Sequence, residues 1–171
     1  ALPIFLVNNA MAFTWGAVDT MSTDDWHANF RTTVDGTFWG TRTAMRLMKE
    51  KGGGSIVNIS SIFGIIAPPG QSAYCAAKFA VRGFSESLRH ELAVAGSPVK
   101  LSVVHPGGVA TNIARNSRTG AGITDNARRA ESIERFDALA RTTPAAAAQR
   151  IITGIEKNQP RILIGKDTRI S

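Results

Sequence analysis

The chain has 171 residues, of which 43% are hydrophobic and 19% charged, with a mean hydropathy of −0.04. This is the balance of a single globular domain over residues 1–171, and it excludes wholesale disorder and collagen-like or low-complexity architecture. No apolar run reaches the roughly 18 residues of a membrane span, and the lone Cys75 allows neither an internal disulfide nor a cysteine cluster for zinc. The expectations are a reduced, cytoplasmic setting, no membrane and no metal.

Twenty Lys and Arg against thirteen Asp and Glu give a net charge of +7 and a pI near 10.3. The densest basic stretch carries Arg115, Arg118, Arg128, Arg129, Arg135 and Arg141, interleaved with Asp125, Glu131, Glu134 and Asp137. Alternating signs of this kind read as a solvated, ion-paired helix face, and no nucleic-acid partner is expected.

In chain order, residues 3–7 form a short apolar run closed by Asn8-Asn9. Such a run suits a strand buried on both faces of a parallel sheet, which needs neighbours on either side and makes a poor first element. Thr23-Asp24-Asp25 starts a helix that reads on to about Lys51, where Gly52-Gly53-Gly54 stops it. Residues 55–60 are a strand and residues 61–70 a loop. Residues 72–95 are a helix whose Phe79, Val81, Phe84, Leu88 and Leu92 make a wide apolar face. Residues 99–104 are a strand closed by His105-Pro106-Gly107-Gly108. Helices follow near residues 126–141 and from Pro144, a residue suited to a first helical turn, to about Lys157. A last strand spans residues 161–165. The alternation predicts an α/β fold built on a parallel sheet.

Tyr74 is the only tyrosine, and Lys78 follows four positions later. On a helix their Cβ atoms lie about 5–6 Å apart on one face. An ammonium so placed favours phenolate and lowers a pKa ordinarily near 10, which suits the tyrosine to exchange a proton with an alcohol oxygen. Ser60-Ser61 sits where a strand runs into a loop, the end at which open α/β sheets bind ligands. His105, Cys75 and the mid-helix Gly83 read as a packed or hydrogen-bonded histidine, a small packing residue and a point of close helix packing.

Asn8-Asn9-Ala10, residues 56–61 (Ile-Val-Asn-Ile-Ser-Ser), Ala73-Tyr74-Cys75-Ala76-Ala77-Lys78 and Pro106-Gly107 together resemble the short-chain dehydrogenase/reductase family, in the family's order and with its serine-to-tyrosine spacing. The resemblance covers the C-terminal two-thirds of that family's pattern. It implies a Rossmann-like doubly wound sheet in three α/β/α layers, incomplete on its N-terminal side. It also implies hydride transfer between NAD or NADP and a secondary alcohol or ketone. Tyr74 then corresponds to the general acid/base, Lys78 to the lysine that tunes it and holds the nicotinamide ribose, and Ser61 to the serine that orients substrate. Asn8, Ala10, Pro106, Gly107, Val109 and Thr111, with Tyr74 and Lys78, correspond to cofactor-binding positions. Residues 108–143 resemble the substrate-covering loop and helix, where Ile113, Ala114 and Ile123 suggest an apolar substrate. A homodimer or homotetramer is implied.

Three positions depart from the family pattern. The glycine-rich phosphate loop is lacking, because Gly36-x-x-x-Gly40 and Gly52-Gly53-Gly54 sit within or after a helix. Met11 stands where glycine is usual, and Thr33 stands in place of the asparagine of the catalytic tetrad. The alternative expectation from another class is a catalytically silent relative or fragment acting as an interaction or structural module.

Overall fold

A computed structural model describes residues 4–116, 118–119 and 126–165. Strand β1 (Ile4–Asn8) leads through a two-residue strand β2 (Thr14–Trp15) to helix α1 (Thr23–Phe30). Ser22 caps α1: its hydroxyl accepts the Asp25 amide at 3.1 Å and donates to the Asp25 carboxylate at 2.7 Å. The region expected to be helical to about Lys51, weakened at Gly36 and Gly40, contains one π-helical turn, Arg31–Asp35, just before α2 (Gly36–Glu50). Gly52 and Gly53, at φ +82° and +136°, then close α2, with the Gly53 amide on the Met48 carbonyl at 2.8 Å.

Strand β3 (Gly54–Ile59), helix α3 (Ser72–Val94) and strand β4 (Val99–Pro106) follow. Two short elements come next, α4 (Ile113–Asn116) and β5 (Arg118–Thr119), then α5 (Asn126–Leu139), α6 (Pro144–Glu156) and β6 (Arg161–Ile164). Pro144 occupies the first turn of α6 behind the Thr143 cap, as its sequence position implied.

The four long strands make one fully parallel sheet in the order β1-β3-β4-β6. Helices α2 and α3 cover one face, packing Met48, Leu88 and Leu92 on Ile56, Val99 and Leu101. Helix α6 covers the other through Ala147, against Val57, Val104, Ile162 and Ile164. The result is the three-layer α/β/α arrangement. The burial of β1 on both faces is met on one only. Leu6 packs into the α2/α3 core, whereas Phe5 and Val7 are 53% and 55% exposed on the face shared with Val57.

A polar seam ties the sheet to its helical layer. The Asn8 amide donates to Asn58 Oδ1 at 2.8 Å and Thr41 Oγ1 at 3.0 Å. Asn58 Nδ2 donates to Ser85 Oγ at 3.0 Å, and Ser85 to the Val81 carbonyl at 2.7 Å. Asn58 and Ser85 are wholly buried, and hydrogen bonds buried in this way are costly to break. Gly40 makes room for it, since a Cβ there would sit 2.4 Å from Asn8 Oδ1. Gly83, by contrast, has nothing within 4 Å of an added Cβ. Gly40→Ala should therefore destabilise the fold by about 1–3 kcal/mol through overpacking. Gly83→Ala should stabilise it by roughly 0.5–1 kcal/mol through helix propensity. Urea unfolding of the two variants checks this; equal effects would show that the seam does not constrain α2.

Candidate active site

The parallel strands end at one edge of the sheet, so Asn8–Ala10, Ser60–Ser61 and Pro106–Gly107 leave it side by side. The last rung of the β3–β4 ladder is the Ser60 amide on the Val104 carbonyl at 2.8 Å. Beyond it the chain turns through a 3-10 turn, Ile62–Gly64, which Ser61 caps by accepting the Phe63 amide on its Oγ at 3.1 Å.

Helix α3 lies directly against this turn, and two hydrogen bonds clasp them together. Ser60 Oγ donates to the Lys78 carbonyl at 2.9 Å, and Lys78 Nζ donates to the Ile59 carbonyl at 2.9 Å. Gly64 permits the approach: a Cβ there would fall 2.3 Å from Ser60 Oγ and 2.9 Å from the Lys78 carbonyl oxygen. Gly64 is the site residue that motif reading passed over, and Ser60, read there only as half of the Ser60-Ser61 pair, proves to hold the clasp. Their signal, a second serine and a glycine beside the expected one, gains meaning only from the packing.

The clasp brings Ser61, Tyr74 and Lys78 together. Tyr74 is 8% exposed, edge-on to Phe13 at 4.9 Å and to Phe63 at 6.4 Å between ring centroids. Lys78 Nζ stands 5.7 Å from the Tyr74 ring centre. Burial raises the Tyr74 phenol above its ordinary value, and the hydrogen bond with the Ser61 hydroxyl pulls it back in part. Burial lowers Lys78 from 10.5 to about 8. This corrects the expected direction of tuning: spacing implied an ammonium lowering the phenol, but burial of the ring dominates and raises it, and the ammonium donates to the Ile59 carbonyl.

Thr33 is fully buried in the π turn, accepting the Ala12 amide on Oγ1 at 3.3 Å. Its carbonyl accepts the Thr37 hydroxyl at 2.7 Å. The turn also packs against α3, the helix that carries Tyr74 and Lys78. Asn8 spends its amide in the polar seam, leaving the backbone of Asn8–Ala10 as that segment's open surface, with Met11 half-buried after it.

Past β4, the Gly107 amide pairs with the Ile164 carbonyl at 2.9 Å and Val109 bridges to Thr142. Gly108 runs against the backbone of Leu139 and Ala140, where a Cβ would meet the Ala140 Cα at 2.8 Å. Thr111 is exposed, its hydroxyl accepting the Ile113 amide at 3.4 Å. Arg115 pairs with Asp137, joining α4 to α5. Ile123, and residues 117 and 120–125 of the loop as a whole, lie outside the described residues. Cys75 is buried, and burial raises its thiol, which suits packing. Among the described residues no three His, Cys, Asp or Glu side chains are grouped to hold a metal, and no helix is long and apolar enough to cross a membrane.

The family model for short chain dehydrogenases matches residues 4–122. The chain belongs to the short-chain dehydrogenase family. SadH of Mycobacterium tuberculosis is 47% identical over 140 residues, covering 80% of this chain and 50% of that protein. Trans-4-hydroxycyclohexanecarboxylate dehydrogenase of Sinomonas cyclohexanicum is 36% identical over 134 residues, covering 78% and 51%. The crystal structure of a short-chain dehydrogenase/reductase from Burkholderia phymatum in complex with NAD superposes with a TM-score of 0.83 at 27% identity, over 93% of this chain and 60% of that one. The chain spans about half the length of the curated relatives it matches.

The depressed Lys78 value has a thermodynamic consequence for this short-chain dehydrogenase. Between pH 8 and 10.5 the unfolded chain holds a proton on Lys78 that the folded chain has released, so stability rises with pH across that window. The stabilisation is fully present above 10.5 and lost as pH falls through 8. The parent protein should gain about 3 kcal/mol relative to Lys78→Met from pH 8 to 10.5, at 1.36 kcal/mol per pKa unit. Chemical denaturation at several pH values measures this; parallel curves for parent and variant would contradict it.

Proposed function

We propose that this chain carries the proton-transfer centre and the nicotinamide-side contacts of an oxidoreductase that interconverts secondary alcohols and ketones with NAD or NADP. The observation that carries the reading is the Tyr74–Ser61 hydroxyl pair, with Lys78 one helical turn away, at the carboxyl edge of a parallel sheet. It is supported by the solved relative in complex with NAD and by the Sinomonas relative, whose name describes a dehydrogenase acting on a hydroxylated ring.

Tyr74 is the general acid/base, giving its phenolic proton to a carbonyl oxygen or taking one from an alcohol. Ser61 donates a hydrogen bond to the same oxygen and holds it at the phenol. Lys78 uses one of its three donor positions on Ile59, which leaves the ammonium able to bind a ribose hydroxyl. The residues fit a dinucleotide on that ground and on the backbone of Asn8–Ala10 and residues 106–111 lying along the same edge. Asn8, Ala10, Pro106, Gly107, Val109 and Thr111 would then hold the cofactor together with Tyr74 and Lys78. Bound there, the nicotinamide supplies or accepts the hydride.

The aromatic edges of Phe13 and Phe63 on Tyr74 favour a substrate with an apolar body. The outer faces of α2 and α3 expose Phe38, Trp39 and Phe79 beside the open Gly83, a surface suited to a second copy in a homodimer or homotetramer.

In the full-length enzyme, Tyr74→Phe keeps the ring packing and deletes the proton, so turnover should fall by about 10²–10⁴. NAD(P)H affinity should stay within about fivefold, the worth of one hydrogen bond. Lys78→Ala should impair both. Steady-state kinetics with cyclic secondary alcohols, beside NADH and NADPH titrations, supply the readouts. Near-parental turnover in Tyr74→Phe would refute the reading.

A further inference from the structure

His105 is wholly buried at the end of β4, and its Nδ1 lies 2.9 Å from the Ser61 carbonyl oxygen. A carbonyl can only accept, so Nδ1 carries the hydrogen. Nε2 is buried with no hydrogen-bond partner, and nothing competes for the ring's orientation. The preceding residue, Val104, makes the last backbone rung to Ser60. The His105 side chain therefore extends the β3–β4 ladder by one more bond, to the first residue that has left the sheet. The second lone pair of that carbonyl takes the Gly64 amide at 3.0 Å, and Ser61 Oγ takes the Phe63 amide. The Ser61 carbonyl is thus held from the sheet side by His105, and from the other side by the turn that Ser61 itself caps.

We propose that His105 is a positioning residue, whose Nδ1–H bond to the Ser61 carbonyl fixes the strand-to-turn junction so that the Ser61 hydroxyl is presented to Tyr74. This rests on the function proposed above, which gives that hydroxyl its role in turnover. The geometry discriminates between replacements. Asparagine places an N–H where Nδ1 stands, glutamine reaches toward the Nε2 position, and leucine fills the space without a donor.

The test uses the full-length enzyme with His105→Asn, His105→Gln and His105→Leu, taken forward when their melting curves remain cooperative. His105→Leu and His105→Gln should lower kcat about tenfold through misplacement of the serine, with the alcohol KM within about threefold. His105→Asn should restore kcat to within about threefold of the parent. In a Ser61→Ala background, His105→Leu should cause no further loss, because the group it positions is gone. Amide hydrogen exchange gives a readout independent of turnover. Phe63, whose N–H is held by Ser61 Oγ, should lose protection about tenfold in the Leu and Gln variants and keep it in the Asn variant, while β3 and β4 stay protected. Unchanged kcat and unchanged Phe63 protection in His105→Leu would overturn the proposal. So would an equal loss of kcat with and without the Ser61 hydroxyl, which marks a purely structural histidine. Should Tyr74→Phe retain turnover, the functional reading fails, and Phe63 exchange still decides whether His105 holds the junction.

Discussion

The site depends on how closely α3 can approach the end of β3. Two hydrogen bonds of 2.9 Å, from the Ser60 hydroxyl to the Lys78 carbonyl and from the Lys78 ammonium to the Ile59 carbonyl, run in opposite directions across one gap. Gly64 keeps that gap clear of any side chain. Ser61 adjoins Ser60 and Tyr74 lies one turn before Lys78, so the same clasp that docks the helix sets the serine against the tyrosine. On the proposed function, structural and chemical roles then fall on neighbouring residues: Ser60 holds and Ser61 presents, while Lys78 does both.

The burial that makes the clasp rigid also sets the electrostatics. Lys78, 2% exposed, is lowered from 10.5 to about 8, so it remains mostly an ammonium at neutral pH but gives up its proton more readily than a free lysine. Tyr74 is held as a phenol by its aromatic surroundings and eased back by Ser61. The same desolvation drives the two values apart, the phenol upward and the ammonium downward, so Tyr74 stays the protonated acid while Lys78 releases a proton more readily than a free lysine. The polar seam from Asn8 through Asn58 to Ser85 lies below this cluster and anchors both β1 and α3 to β3, so the reacting edge rests on a fully bonded support.

The four long strands were legible because short apolar runs closed by turn formers leave few other choices, and the helix ends were legible at Thr23-Asp24-Asp25, Gly52–Gly54 and Pro144. The trio Ser61, Tyr74 and Lys78 was legible from motif and spacing. The π turn at Arg31–Asp35 was not, since one inserted residue shifts helical phase without changing composition. Nor were β2 and β5, whose two-residue pairing joins segments far apart in the chain with no local pattern of their own. The partnership of His105 with Ser61 is tertiary and has no sequence signature. The direction of the Tyr74 shift was misjudged for the same reason: spacing reveals a neighbouring charge, whereas burial depends on Phe13 and Phe63, which arrive from elsewhere.

The most direct test of the clasp is the turnover of Gly64→Ala in the full-length enzyme, read beside its melting temperature. The added methyl would lie 2.3 Å from Ser60 Oγ and 2.9 Å from the Lys78 carbonyl, so turn and helix must separate. A displacement approaching 1 Å at the reacting groups costs on the order of 10²-fold in rate. The expected result is a loss of at least tenfold in kcat in a protein that still unfolds cooperatively, partly recovered when Ser60→Ala removes the nearer clash. Parental turnover in Gly64→Ala would show that the approach of α3 to β3 does not set the geometry of the site.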